Sequence, residues 1–172
     1  MSGMVLISSQ PADVVVVGAG VVGAACAYFA AQAGLRVVVL DRGAVAGGTT
    51  GAGEGNLLVS DKSPGPELDL TLHSLALWRA LSSTLDSEAV EIEFKGGLVV
   101  ASTADGHDAV RDLAGQQRAV GVEAVEVAAE SLHDHEPQLA GGLAGGVLYP
   151  QDMQVQPMAA AAHLLRAAIR EH

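Results

Sequence analysis

An α/β fold is predicted from three features of this 172-residue sequence. A β-branched run at residues 13–17, Asp13 followed by four valines, ends in the turn Gly18-Ala19-Gly20-Val21-Val22-Gly23. A small-residue stretch of helical length comes next, and then a second β-branched run at residues 36–40, ending at Asp41. A continuous β-branched run is the pattern of a strand buried on both faces of a parallel sheet. Residues 21–33 suit a helix lying close on such a sheet, and Gly34 stands where the chain must leave it. Strand, helix and strand make a compact βαβ unit.

The pattern changes after Asp41. Residues 43–55 form a loop with six glycines. A helix is predicted over 66–85, because Leu68, Leu72, Leu75, Trp78, Leu81 and Leu85 recur at steps of three or four and give one apolar stripe with Trp78 in the core. Residues 90–94 and 98–102 read as strands of an antiparallel hairpin joined by Lys95-Gly96-Gly97. A helix over 107–120 follows, with Asp105 as N-cap and Gly121 as C-cap. Residues 122–127 alternate like a half-buried strand, 145–149 read as another, and Pro157 opens a last, Ala-rich helix. The parallel sheet is thus interrupted after two strands, most simply by a second domain inserted into the first. The expected organisation is 1–60 for the βαβ unit, 61–156 for the mixed segment and 157–172 for a helix leading back. The last helix ends at His172 with no strand after it, so the fold is expected to be truncated.

Composition narrows the function. Hydrophobic residues make up 49% of the chain and charged residues 17%, enough apolar material for a core and too much for disorder. With aromatics at 3%, that core must be Val, Leu and Ala. A net charge of −11 argues against a nucleic-acid surface, which needs clustered cations. Cys26 is the single cysteine, so no intrachain disulfide framework exists. It sits in a run of small residues and reads as buried packing rather than a nucleophile. Residues 14–40 are hydrophobic but broken by glycines, unlike a membrane span. Residues 1–10 carry no Lys or Arg, unlike a secretory leader, so a cytoplasmic location is expected.

The glycine turn carries the chemistry. In a Rossmann-type unit Gly18 permits the tight turn, Gly20 leaves room for a pyrophosphate at the backbone, and Gly23 lets the helix lie close to the strand. Free N–H groups and the helix dipole favour the anion, the dipole by about 0.3–1 kcal/mol. Asp41 lies 18 residues after Gly23, where a carboxylate accepts from ribose hydroxyls and repels a 2′-phosphate, an argument that the neighbouring Arg42 softens. FAD and NAD share this fingerprint. The loop Gly47-Gly48-Thr49-Thr50-Gly51-Ala52-Gly53-Glu54-Gly55-Asn56 offers amides and hydroxyls for the longer reach of FAD, and reads equally as a surface loop.

The succession VVVVGAGVVGAACAYFAAQAGLRVVVLDRG, GGTTGAGEGN, LALWRAL, FKGGLVVAS and EPQLAGGLAGGVLYPQDMQVQPMAAAAHLLRAA resembles the D-amino-acid oxidase-like flavoenzymes along nearly the whole chain. That group includes glycine and sarcosine oxidases and amino-acid, hydroxyproline and opine dehydrogenases. The resemblance implies FAD and oxidation of an amine C–N bond by hydride transfer to the flavin. It places Gly18, Gly20, Val21, Val22 and Gly23 at the pyrophosphate and Asp41 at the adenosine ribose with Arg42 beside it. Thr49, Thr50, Gly55 and Asn56 fall on the loop towards the flavin. Many relatives have Glu where this chain has Asp41. Members of the group are roughly twice this length, so the remaining strands and most substrate-gripping residues are expected in a missing half. No catalytic base or carboxylate-binding Arg is nominated. The alternatives are a non-catalytic chain of a split flavoprotein, completed by a partner chain, and an NAD-dependent dehydrogenase.

Other clusters carry less. His133-Asp134-His135-Glu136 holds metal-type ligands, but neighbours on one short helix diverge, and a solvated turn before Pro137 explains them, so no metal is assigned. His73 reads as a helix-surface residue. Tyr149 and Asp152 border the substrate cavity or, equally, form a strand end and the turn before Pro157. A side chain at position 20 would fill the space meant for the pyrophosphate. Gly20→Val is therefore expected to abolish retention of flavin or NAD, checked by the absorbance of the gel-filtered variant.

Overall fold

The computed structural model describes residues 11–171. It forms two compact units, one of residues up to 54 with those from 156 on, the other of residues 55–155. The expectations placed on residues 1–10 and on His172 lie outside the described residues.

In the first unit β1 (Val14–Val17) and β2 (Val37–Leu40) pair in parallel, Val14 opposite Val37 and Val17 opposite Leu40. Helix α1 (Val21–Gln32) joins them. Its exit depends on Gly34, whose φ of +81° few other residues adopt cheaply. The Gly34 N–H donates to the Ala31 carbonyl (2.8 Å) and that of Leu35 to Ala30 (3.1 Å), satisfying the last turn of the helix. Ala24, Ala27, Tyr28 and Ala31 form the buried face of α1. Against α1 packs α5 (Pro157–Arg170), which buries Ala160, Ala161, Leu164, Ala167 and Ala168. The Gln156 side chain accepts from the Ala159 N–H (2.7 Å) and Pro157 takes the first turn, so this N-terminus is capped.

Two expectations for this unit are corrected. Cys26 is exposed, not buried, because it shares the outer stripe of α1 with the exposed Val22 and Phe29. The strands are not buried on both faces: Val17 is 84% and Val15 57% exposed, as Val38 and Leu40 are on β2. Val16 faces α1, so the helix covers one side of the pleat and the alternate residues stand on the other, open side.

The second unit carries a three-stranded antiparallel sheet in the order β4 (Gly97–Ala101), β6 (Gly145–Tyr149), β5 (Val125–Ala128). The expected hairpin of 90–94 with 98–102 does not form. Gly97 lies opposite Tyr149 and Ala101 opposite Gly145, so β4 pairs with a strand distant in sequence. Residues 90–94 turn instead: Glu91 adopts φ 51°, and the Val90 and Ile92 N–H groups donate to Asp86 and Ser87 carbonyls. Glu93 makes an isolated bridge with Gln154, and the Gly96 N–H is taken by the Asp152 carbonyl. Gly146 is required on β6, since a Cβ there would stand 2.6 Å from the Val99 carbonyl oxygen. A short ladder pairs β3 (Asn56–Leu57) with β7 (Met153–Gln154).

Helix α2 (Pro66–Leu81) stops before the expected end at 85. The Ser82 and Ser83 hydroxyls donate to the Arg79 and Ala80 carbonyls (2.7 and 2.8 Å), competing with the helical backbone. Leu85 is still buried, while Trp78 is half-buried rather than core. Helix α3 (Ala104–Arg118) begins before the expected residue 107. Its N-cap is Thr103, whose Oγ1 accepts from the Gly106 N–H (3.1 Å), so Asp105 sits in the first turn instead. Gly121, at φ +96°, lies beyond the C-cap Ala119. The last short helix, α4 (Leu132–His135), presents exposed His133, Asp134 and His135. Among the described residues no group of three or more His, Cys, Asp or Glu is placed to hold a metal, and no helix is long and apolar enough to cross a membrane.

The α1–α5 contact is the main apolar seam of the first unit, and Leu164 has 0% exposure in it. Leu164→Ala is expected to cost about 2–5 kcal/mol of stability, read as a lowered urea midpoint.

Candidate dinucleotide site

The first unit builds the site from the end of β1. The Gly18 N–H donates to the Leu40 carbonyl (2.7 Å), which ties the turn to β2, and the residue takes φ +112°, a conformation that favours glycine. The chain then enters α1 at Gly20. At Gly23 an added Cβ would overlap the Gly18 carbonyl oxygen and press on the Val16 side chain. Any side chain there would push the helix off the strand and spoil the turn.

Asp41 closes the turn from the other strand. Its Oδ2 accepts from the Ala19 N–H (2.7 Å) and its Oδ1 from the Gly43 N–H (2.8 Å). Those two backbone hydrogen bonds, Ala19 first, hold the carboxyl below its ordinary value of 3.8 despite some desolvation. Each oxygen keeps a second lone pair for an outside donor. Val17, Gly18, Leu40, Asp41 and Arg42 line one cavity of about 450 Å³. A glycine backbone, a carboxylate and an apolar strand end around such a space suit an adenosine group, and the residues present fit a dinucleotide.

The glycine-rich loop contributes more order than its composition suggests. Thr49 and Thr50 open a 3-10 turn, Thr49–Ala52. The Thr50 Oγ1 accepts from the Val21 N–H (3.0 Å), capping the start of α1 from a distant segment. It also stands 3.0 Å from where a Cβ on Gly20 would lie. A valine at that position would therefore meet Thr50 even before any ligand. Ala46 is buried at φ 57° and donates its N–H to the Ala19 carbonyl (3.0 Å), and a Cβ on Gly51 would collide with the Ala46 carbonyl oxygen.

Of the residues singled out in the sequence, Gly18, Gly20, Val21, Gly23, Asp41, Arg42 and Thr50 gather around this turn. Val22 is exposed on α1, and Thr49 is exposed at the head of the 3-10 turn. Gly55 and Asn56 belong to the second unit, where Gly55 takes φ +79° and its carbonyl accepts from the Val155 N–H (2.9 Å). Tyr149 and Asp152 are both interior, 0% and 1% exposed: Tyr149 ends β6, in keeping with the strand-end reading, and Asp152 lies between β6 and β7. The cap of α5 is Gln156. Sequence reading missed the Thr50 cap and the Asp41–Ala19 bond. The paired threonines and the short acidic side chain were their only signals.

A carboxyl held below its ordinary value contributes stability above that value, which is lost as pH falls through the depressed one. Asp41→Asn does not titrate, so its stability is expected to fall less steeply than the parent's below pH 3.8. Urea midpoints at stepped pH check this; equal slopes would contradict it.

The family model described as FAD dependent oxidoreductase (DAO) matches residues 13–172. Glycine oxidase of Geobacillus kaustophilus (strain HTA426) is 31% identical over 162 residues, covering 91% of this chain and 43% of that protein. A crystal structure of glycine oxidase from Geobacillus kaustophilus superposes with a TM-score of 0.84 at 30% identity, covering 93% of this chain and 45% of the other. L-alpha-glycerophosphate oxidase from Mycoplasma pneumoniae, solved with FAD bound, gives 0.82 at 21% identity over 93% of this chain and 43% of its own, a likeness of fold alone. The chain spans less than half the length of these relatives. The family's cofactor is FAD, which decides between the two dinucleotides left open by the glycine fingerprint. The chain, with its Rossmann-type βαβ unit followed by a mixed α/β segment, belongs to the FAD dependent oxidoreductase family.

Proposed function

We propose that this chain carries the dinucleotide-binding part of a flavoenzyme that oxidises the C–N bond of an amino acid or related amine. The observation that carries the reading is the joint geometry of Gly23, Gly18 and Asp41 beside a cavity of about 450 Å³ in a chain of this family. The 31% identity to a glycine oxidase supports a small amino acid as substrate class. Gly18, Gly20, Val21, Val22 and Gly23 would face the pyrophosphate, the N–H groups of Gly18 and Val21 being already donated to the Leu40 carbonyl and to Thr50 Oγ1, and Asp41, with Arg42 beside it, would face the adenosine ribose. Thr49, Thr50, Gly55 and Asn56 would serve the stretch towards the flavin. FAD, when bound, supplies the acceptor for the hydride leaving the substrate carbon. The chain's own task is then orientation and exclusion of water, with no catalytic acid or base assigned among its residues.

A second reading is a non-catalytic chain that needs a partner chain to complete the flavoenzyme. It is favoured by the open face of the β1–β2 sheet, where Val15, Val17, Val38 and Leu40 stand exposed. Anaerobic mixing of the FAD-loaded chain with glycine, sarcosine and larger amino acids separates the two. Loss of visible flavin absorbance with one of these amines is expected if the chain is competent alone. Flavin that stays oxidised with all of them would favour the second reading, in which the chain acts only with its partner.

A further inference from the structure

Residues 58–62 follow the short strand β3 and belong to no ladder, yet Val59 is 0% and Ser60 8% exposed. Their backbone groups must find partners inside the unit. Two buried polar side chains supply them. Asp152 Oδ1 accepts from the Val59 N–H (2.7 Å) and, at 3.4 Å, from that of Ser60. Gln117 Nε2 donates to the Val59 carbonyl (3.0 Å) and the Lys62 carbonyl (2.7 Å), while its Oε1 accepts from the Tyr149 hydroxyl (2.8 Å). The peptide groups of Val59 are thus gripped from both sides, by a turn residue and by α3.

The same register continues backwards. Met153 pairs with Leu57, Gln154 with Asn56, and the Val155 N–H donates to the Gly55 carbonyl. Four consecutive residues, 152–155, therefore act as a template for residues 55–60. The fit has no slack: a Cβ on Gly97 would collide with Asp152 Oδ2, a buried oxygen. Burial pushes the Asp152 carboxyl above the ordinary range, against the hydrogen bonds from Ser60 and Val59 that pull it down. Asn56, Leu57, Leu58 and Lys62 of the held segment line a cavity of about 300 Å³, with α2 supplying other lining residues.

We propose that Asp152 and Gln117 are positioning residues that fix residues 59–62 and, through them, Gly55 and Asn56 at the end of the glycine-rich loop, without touching the cofactor themselves. The proposal rests on the reading that Gly55 and Asn56 serve FAD. Two measurements on the full chain test it: backbone amide exchange resolved by residue, and the affinity for FAD. Asp152→Ala is expected to speed exchange at Val59 and Ser60 roughly tenfold and weaken FAD binding by a similar factor, with the β4–β6–β5 sheet unchanged. Asp152→Asn keeps an acceptor for the Val59 N–H and should restore both. If Asp152→Ala does not fold, Tyr149→Phe carries the test, since it leaves Gln117 without its donor; faster exchange across 59–62 with weaker FAD binding is expected. Unchanged FAD affinity in the folded variants, or exchange rising equally throughout the sheet, would overturn the proposal while the flavin reading stands. An unsubstituted chain that binds no FAD would overturn the flavin reading itself, and this proposal with it.

Discussion

The structure of the first unit depends on one close approach, that of α1 to the turn leaving β1. Gly23 has no room for a Cβ against the Gly18 carbonyl oxygen, and Val16 packs on the same spot. Because the helix is that near, its N-terminus lies beside the turn, where the dipole favours an anion and Thr50 Oγ1 already takes the Val21 N–H. Gly18 at φ +112° aims the chain into the helix, and Leu40 and Asp41 hold that turn from the neighbouring strand. A methyl group at residue 23 would undo the arrangement from its centre.

The polar groups of the turn show how a chain can keep such a site in order. Asp41 spends one lone pair of each oxygen on backbone amides, and Thr50 spends its hydroxyl on the Val21 N–H. The amides of Ala19, Gly43 and Val21 are thereby partnered by side chains rather than by a ladder. In the second unit Asp152 and Gln117 do the same for residues 59–62, from the interior rather than from the site. In both places a side chain from one segment satisfies the backbone of another, which orders a loop without lengthening a strand or helix.

Much of this was legible in the sequence, and the failures have identifiable causes. The βαβ unit was readable because its evidence is local: β-branched runs, glycines at fixed offsets and a glycine after the helix. Strand 145–149 and the helix at Pro157 were readable for the same reason. Pairing was not. Lys95-Gly96-Gly97 looks like a hairpin turn, but β4 finds its partner at 145–149, and only tertiary packing decides between local and distant edges. The start of α3 was misplaced because Thr103 and Asp105 are both credible caps, and hydrogen-bond geometry chose the threonine. Burial was misread for the valine strands, since a run of four valines looks the same whether one face is covered or two. At the site the glycines and Asp41 were legible by type and spacing. Their partners Ala19, Gly43 and Thr50 were not, because a backbone amide leaves no mark in a sequence.

The central claim is that the glycine turn with Asp41, which by itself leaves FAD and NAD open, holds FAD in this member of the FAD dependent oxidoreductase family. It is tested most directly by an equilibrium titration of the chain with FAD, followed by flavin fluorescence, in the presence and absence of excess NAD. Saturable quenching that NAD does not reverse is the predicted result. Binding that NAD displaces fully, or no saturable binding of FAD at all, would contradict it.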